Sequence, residues 1–207
     1  MILKIHDRVV NGFFLGKRRK YTKMKILLTL KFLSSPDFFI LHHRPKRLKE
    51  ELQQWKCMMI VALWKKQVLT YEILPEGNTV NSIAYLNFLE RRVLPEVTRR
   101  HIGRPIILHD NATPHKHRIV REFLQEKRWE ELEHPPYSPD MSPPDMDGIY
   151  RIKAPNKGKQ FQTQTELIRD YEATIQSINR NHESLGINML PDRWRAIHLA
   201  HGKYVEH

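Results

Sequence analysis

Two short stretches hold the residues best suited to chemistry. The run Ile106-Ile107-Leu108-His109-Asp110-Asn111-Ala112-Thr113-Pro114-His115 ends an apolar segment on a carboxylate. Further on, Tyr137-Ser138-Pro139-Asp140-Met141-Ser142-Pro143-Pro144-Asp145 ends a proline-framed segment on another, with 34 residues between Asp110 and Asp145. A strand delivers a short acidic side chain to a fixed spot at its end, and a helix with a second strand brings another acid back beside it. Two carboxylates so placed suit a hard cation such as Mg²⁺ or Mn²⁺, which prefers oxygen ligands. Each acid also has a purely structural explanation. Asp110-Asn111 suits a turn after a strand, and Asp145 suits a helix N-terminus behind prolines. The metal reading therefore rests on the two motifs occurring together, with Asp140 read as structural.

The paired motifs resemble those of the mariner-type transposases, which are cut-and-paste DNA enzymes of the DDE/DDD superfamily with a ribonuclease-H-like catalytic core. The family's second catalytic acid lies in a His-Asp-Asn-Ala-x-Pro-His motif, matched from His109 to His115. Its third closes a Tyr-Ser-Pro-Asp-x-x-Pro-x-Asp motif, matched from Tyr137 to Asp145, and the 34-residue separation is the mariner one. Further matches are Leu74-Pro75-Glu76-Gly77-Asn78-Thr79-Val80-Asn81-Ser82 and Leu190-Pro191-Asp192-Arg193-Trp194. The resemblance covers residues 55–207 and fades in residues 1–54.

That resemblance implies a DNA transposase catalytic domain performing metal-dependent phosphodiester cleavage and strand transfer at transposon ends. Asp110 is expected to bridge two Mg²⁺ or Mn²⁺ ions and Asp145 to ligate one. Asn111 is expected to orient a carboxylate or phosphate, and His109 and His115 to contact the DNA backbone or orient the acids. The family's first acid stands on its first strand and is usually followed by Glu. Asp37 is the expectation for that place, although Phe38 stands where Glu belongs, Pro36 precedes it, and the gap to Asp110 is short. Asp7 is the alternative. The expected partners are transposon-end and target DNA, with a second copy of the chain, in the nucleus. Residues 1–54 show no pair of helix-turn-helix units, so the chain reads as a catalytic domain truncated at its N-terminus. A catalytically degenerate or domesticated nonspecific DNA-binding protein is the competing reading. Another two-metal nuclease, such as an integrase, is opposed by the Leu190–Trp194 match.

Composition agrees with a polyanionic partner. Among 207 residues, 35 Lys and Arg oppose 23 Asp and Glu, a formal net charge of +12, and phosphates favour such a chain. Basic clusters at residues 17–25 and 44–49 could face phosphates or simply water. The single Cys57 excludes an intramolecular disulfide, and its apolar neighbours mark it as a buried thiol. Twelve histidines fall into no zinc-binding spacing. No apolar run approaches the ~20 residues of a membrane-spanning helix.

Periodicity then supplies the elements that must position the acids. Residues 26–41 read as a strand interrupted near Pro36, and residues 45–54 as a charged helix or loop. Residues 57–64 and 68–74 read as an antiparallel hairpin. A helix is expected over 82–100, with Ile83, Leu86, Phe88, Leu89 and Val93 inward. A short buried strand at 106–109 leads to a helix opened by Pro114, with Ile119, Val120, Phe123 and Leu124 as its stripe. Residues 129–132 read as a strand and 135–144 as an ordered loop. Thr163 and Glu166 have capping-box spacing before a helix marked by Leu167, Ile168, Tyr171, Ile175 and Ile178, with Gly186 at its exit. A last helix over 191–201 buries Trp194 and Ile197. The sum is a mixed α/β domain with helices on both faces of its sheet. The resemblance, not periodicity, makes it ribonuclease-H-like.

Overall fold

The computed structural model describes residues 27–34, 57–136, 138–182 and 186–201. Its centre is a five-stranded mixed sheet in the order β3-β2-β1-β4-β5. The strands are β1 (Leu27–Ser34), β2 (Met58–Trp64), β3 (Gln67–Leu74), β4 (Ile106–His109) and β5 (Glu130–Leu132). β1 runs antiparallel to β2 and parallel to β4, with Leu30 opposite Ala62 on one side and His109 on the other. β5 joins β4 in parallel, Ile107 opposite Glu131. The parallel half is short and needs helical crossovers, while the antiparallel half is a hairpin.

Strand alternation divides the core. From β2, Ile60 and Ala62 face one side with Ile107 of β4, while Met59, Val61 and Leu63 face the other with Leu108. The first side is covered by α1 (Ser82–Phe88), a wide π turn (Leu89–Val93), α2 (Leu94–Arg99), and beyond β4 by α3 (Thr113–Lys116) and α4 (Arg118–Glu126). The second is covered by α5 (Ile149–Lys153), α6 (Gln164–Asn181) and α7 (Leu190–Leu199).

The helix expected over residues 82–100 keeps its extent and most of its inward face, with Phe88, Leu89 and Val93 buried as expected. Tyr85, Phe88, Leu89, Val93 and Val97 are its buried positions, whereas Ile83 is 63% exposed. Asn81 caps it by accepting from Ala84 N–H at 2.9 Å, and that start turns Tyr85 inward. Pro95 explains the π turn before it. Its ring clashes with the carbonyl four residues back and it has no N–H to donate, so the preceding turn widens. The helix opened by Pro114 is split in two where His117 takes an extended backbone, ψ 145°.

The long helix α6 begins as the sequence implies. Thr163 accepts from Glu166 N–H at 3.2 Å, and the Glu166 carboxylate accepts from Gln162 N–H at 2.8 Å. It ends earlier than Gly186, at His182, whose φ of 50° closes the last turn. Gly186, φ 78°, instead opens the 3-10 turn Ile187–Met189 before α7. Asn179 fastens α6 to the sheet. Its amide oxygen accepts from Val68 N–H at 2.7 Å and its NH₂ donates to the Val68 carbonyl at 3.0 Å, beside the register shift in the β2–β3 ladder. Cys57 is buried as expected, and burial pushes its thiol pKa up. No helix among the described residues is long and apolar enough to cross a membrane.

Candidate active site

β4 is only four residues long, and its alternation sets the site. Ile107 and Leu108 enter opposite cores, so His109 returns to the side of Ile107 beneath α1. There the Tyr85 hydroxyl lies 2.9 Å from His109 Nδ1, and Glu131 Oε1 lies 2.9 Å from His109 Nε2. Glu131 reaches it because β5 sets Glu131 opposite Ile107, on the face that His109 shares. His109 is 5% exposed, and burial above all lowers its pKa, against the opposing pull of Glu131. Glu131 is itself held below the usual carboxylate range, first by its hydrogen bond to His109.

These states fix the protons. An ionised Glu131 only accepts, so the neutral ring carries its proton on Nε2 and accepts at Nδ1. Tyr85 must then donate. Its own pKa is raised well above the ordinary value by burial, with Asp110 and Glu131 adding to the effect, so the proton stays on the hydroxyl.

Asp110 follows at the strand end, part-buried. Its Oδ1 accepts from Ala112 N–H at 2.9 Å, the turn an Asp makes with the backbone two residues on. The chain then bends into α3 and brings back His115. Its Nδ1 lies 3.0 Å from the Asp110 carbonyl and 2.9 Å from Asp110 Oδ1. Both are acceptors, so Nδ1–H is the donor. The His115 ring is fully buried. It stacks on His109 with centroids 4.5 Å apart and planes within 2°, while Tyr85 tilts against it at 4.5 Å. Asn111 points elsewhere, donating to the His134 carbonyl at 2.7 Å, and so ties the strand end to the loop that leads to the second motif.

That motif folds as a buried ledge. Pro139–Met141 forms a 3-10 turn, and Pro144–Gly148 a wide π turn with Asp145 in its first residues. Trp194 Nε1–H donates to the Met141 carbonyl at 3.3 Å, and Arg193 to the Asp140 carbonyl at 3.3 Å. Asp140 is 5% exposed, in keeping with a structural role, whereas Asp145 is part-buried. The Asp145 turn packs against β1, the strand that β4 flanks. Its last residue also meets β2, where a Cβ on Gly148 would lie 2.5 Å from Leu63 Cδ1.

Asp110, His109 and His115 thus come together on one strand end. Tyr85 and Glu131 join them without having been singled out in the sequence. The signal for Tyr85 was the Asn81 cap, and for Glu131 the pairing of β5 with β4. Asp37 and Asp7 lie outside the described residues, as do both N-terminal basic clusters. Described β1 carries no acidic residue. Among the described residues no group of three His, Cys, Asp or Glu stands ready for a metal. The hard oxygen donors of Asp110 and Asp145 fit Mg²⁺ or Mn²⁺ in chemistry.

No protein-family model matches the chain. The chain is 32% identical over 158 residues, 73% of its length, to the Mariner Mos1 transposase of Drosophila mauritiana. It is 29% identical over 170 residues, 78% of its length, to the human histone-lysine N-methyltransferase SETMAR. It spans 46% of the first relative and 24% of the second. The solved catalytic domain of Mos1 transposase with raltegravir and Mn superposes with a TM-score of 0.78 at 25% identity, covering 99% of this chain and 94% of that one.

Proposed function

Because the chain belongs to the mariner-type transposases and matches their catalytic domain, we propose that it performs metal-dependent cleavage and strand transfer of DNA at transposon ends. The observation that carries the reading is Asp110, held by two hydrogen bonds at the end of β4 in a sheet alike in fold to the Mn-bearing Mos1 domain. Asp110 and Asp145 are the proposed metal ligands, and Asp37 is the proposed third. Two divalent ions, when bound, activate the attacking hydroxyl and relieve charge on the leaving oxygen.

The chain's own part is to hold and to shield. The backbone N–H of Ala112 and the ring of His115 set the Asp110 carboxylate. Asn111 holds the loop from His134 against the strand end, and the Trp194 ledge holds the Asp145 turn. His109 and His115 are too buried to meet a DNA backbone, so we assign both an orienting role. The +12 charge draws the phosphates in, with two copies of the chain bringing two ends together in the nucleus.

The test is nicking of a terminal-repeat duplex in Mn²⁺ and in Mg²⁺ by the full chain. Cleavage is expected in the wild type and in Asp140→Asn, and none in Asp110→Asn or Asp145→Asn. All four should bind duplex DNA, with affinity falling steeply as salt rises. A wild-type chain that binds DNA equally with or without the ions and never cuts would favour the degenerate DNA-binding protein.

A further inference from the structure

Neither of the two motifs includes Tyr85 or Glu131, yet both end on the ring that underlies Asp110. Resting on the reading of Asp110 as a metal ligand, we propose that Tyr85 and Glu131 are positioning residues. They clamp the His109 ring from its two nitrogens, so that His115, stacked on it, holds the Asp110 carboxylate in the orientation a divalent cation requires.

The geometry runs in one direction. Tyr85 and Glu131 bind opposite nitrogens of His109, each at 2.9 Å, and two such bonds leave an imidazole neither free to flip nor to exchange its tautomer. His109 is the floor on which His115 lies, with planes 2° apart. His115 in turn presents Nδ1–H to Oδ1 and to the backbone carbonyl of Asp110. Three elements are joined this way, α1 through Tyr85, β5 through Glu131 and α3 through His115. The clamp therefore also reports whether β5 is in register with β4.

Removing one clamp has a definite consequence. Without Glu131 nothing selects the Nε2–H form, and a ring protonated on Nδ1 makes Tyr85 an acceptor. His109 then turns to suit the new bond, and the stacked His115 loses the support that aims its Nδ1–H. The carboxylate of Asp110 then loses the hold of the His115 ring beside its bond from Ala112 N–H, and gains rotational freedom. Groups that orient a metal's ligands without touching the metal typically change affinity by about 10–100-fold.

The test uses the full chain and two readouts. Mn²⁺ affinity, by calorimetry or by the electron-spin resonance of free Mn²⁺, is expected to fall about tenfold in Tyr85→Phe and in Glu131→Ala. Glu131→Gln keeps an oxygen acceptor for Nε2–H and is expected to restore most of the loss. In the metal-free chain, nitrogen-15 imidazole shifts are expected to show His109 protonated on Nε2 and His115 on Nδ1. Both patterns should become mixed in Glu131→Ala and be regained in Glu131→Gln. Tyr85→Phe removes only a hydroxyl, so it remains informative if Glu131→Ala folds poorly. If Asp110→Asn abolishes Mn²⁺ binding while Tyr85→Phe and Glu131→Ala bind like wild type, the positioning role is overturned and the metal site stands. If Asp110→Asn binds Mn²⁺ as well as wild type, the metal reading falls. The positioning role is then judged by the His115 shifts alone, and their constancy in Glu131→Ala overturns it.

Discussion

Asp110 and Asp145 are held by opposite kinds of environment. Asp110 stands over a polar network on the α1 side of the sheet, in which Tyr85, His109 and His115 are buried and Glu131 reaches in from the exposed strand β5. Asp145 rides on a proline-framed turn seated in an apolar core, with Leu63 beneath it and Trp194 behind. The first acid's carboxylate is set by directional bonds from Ala112 and His115, whereas the turn that carries the second is seated by packing. A polar network tolerates shape changes that keep its donors and acceptors, whereas a packed ledge tolerates polar changes that keep its shape. The two halves of the site should therefore fail to different substitutions.

The largest effect is expected on the packed side. Trp194 is 1% exposed, and Trp194→Ala should cost about 3–5 kcal/mol in denaturant unfolding. A loss below about 1 kcal/mol would mean that the ledge does not depend on packing. Next comes Gly148→Ala, whose new methyl would sit 2.5 Å from Leu63 Cδ1. The cost should be about 1–3 kcal/mol. In Gly148→Ala/Leu63→Val it should be less than the sum of the singles, since the shorter side chain makes room. Additive costs would place the strain elsewhere.

Thr163→Ala, far from both acids in sequence and on the start of α6, should cost only about 1 kcal/mol, as cap removals do. It should leave Mn²⁺ affinity unchanged, which makes it the control for the other variants. The smallest effect is with pH and belongs to the polar side. His109 has a folded-state pKa below the ordinary 6.5, so the unfolded chain binds a proton that the buried ring refuses. Its contribution to stability is whole above 6.5 and is lost as pH falls through the lowered value. Glu131, lowered from 4.5, acts in the same sense further into acid. Melting temperature should fall with acidification in that window, and His109→Gln should flatten the slope. An unchanged slope would show that other groups carry it.

Much of this was readable in the chain and some was not, for reasons that particular residues make plain. The β2–β3 hairpin, the strand into Asp110, the Thr163 cap and the inward faces of α4 and α6 all follow from local patterns. Ile83 was misjudged because an apolar residue near a helix start matches a helical period nearly as well as Tyr85 does. Only the cap at Asn81 settles which face turns in. Gly186 looked like the end of α6, but His182 reached the left-handed conformation first, and Gly186 stands where φ is 78° and an added Cβ would lie 3.2 Å from the Pro143 carbonyl oxygen.

By itself the sequence determined which residues are the candidates for chemistry. The two acids, their motifs and the excess of positive charge are properties of residue identity and spacing, and no fold is needed to see them. Tertiary structure decided what stands behind those residues. Tyr85 and Glu131 lie 24 and 22 positions from His109, and nothing local connects them. They meet because α1 crosses the sheet above β4 and β5 pairs beside it, with Glu131 opposite Ile107. A hydrogen bond is decided within tenths of an ångström, and only the assembled sheet fixes distances that finely between segments so far apart in the chain.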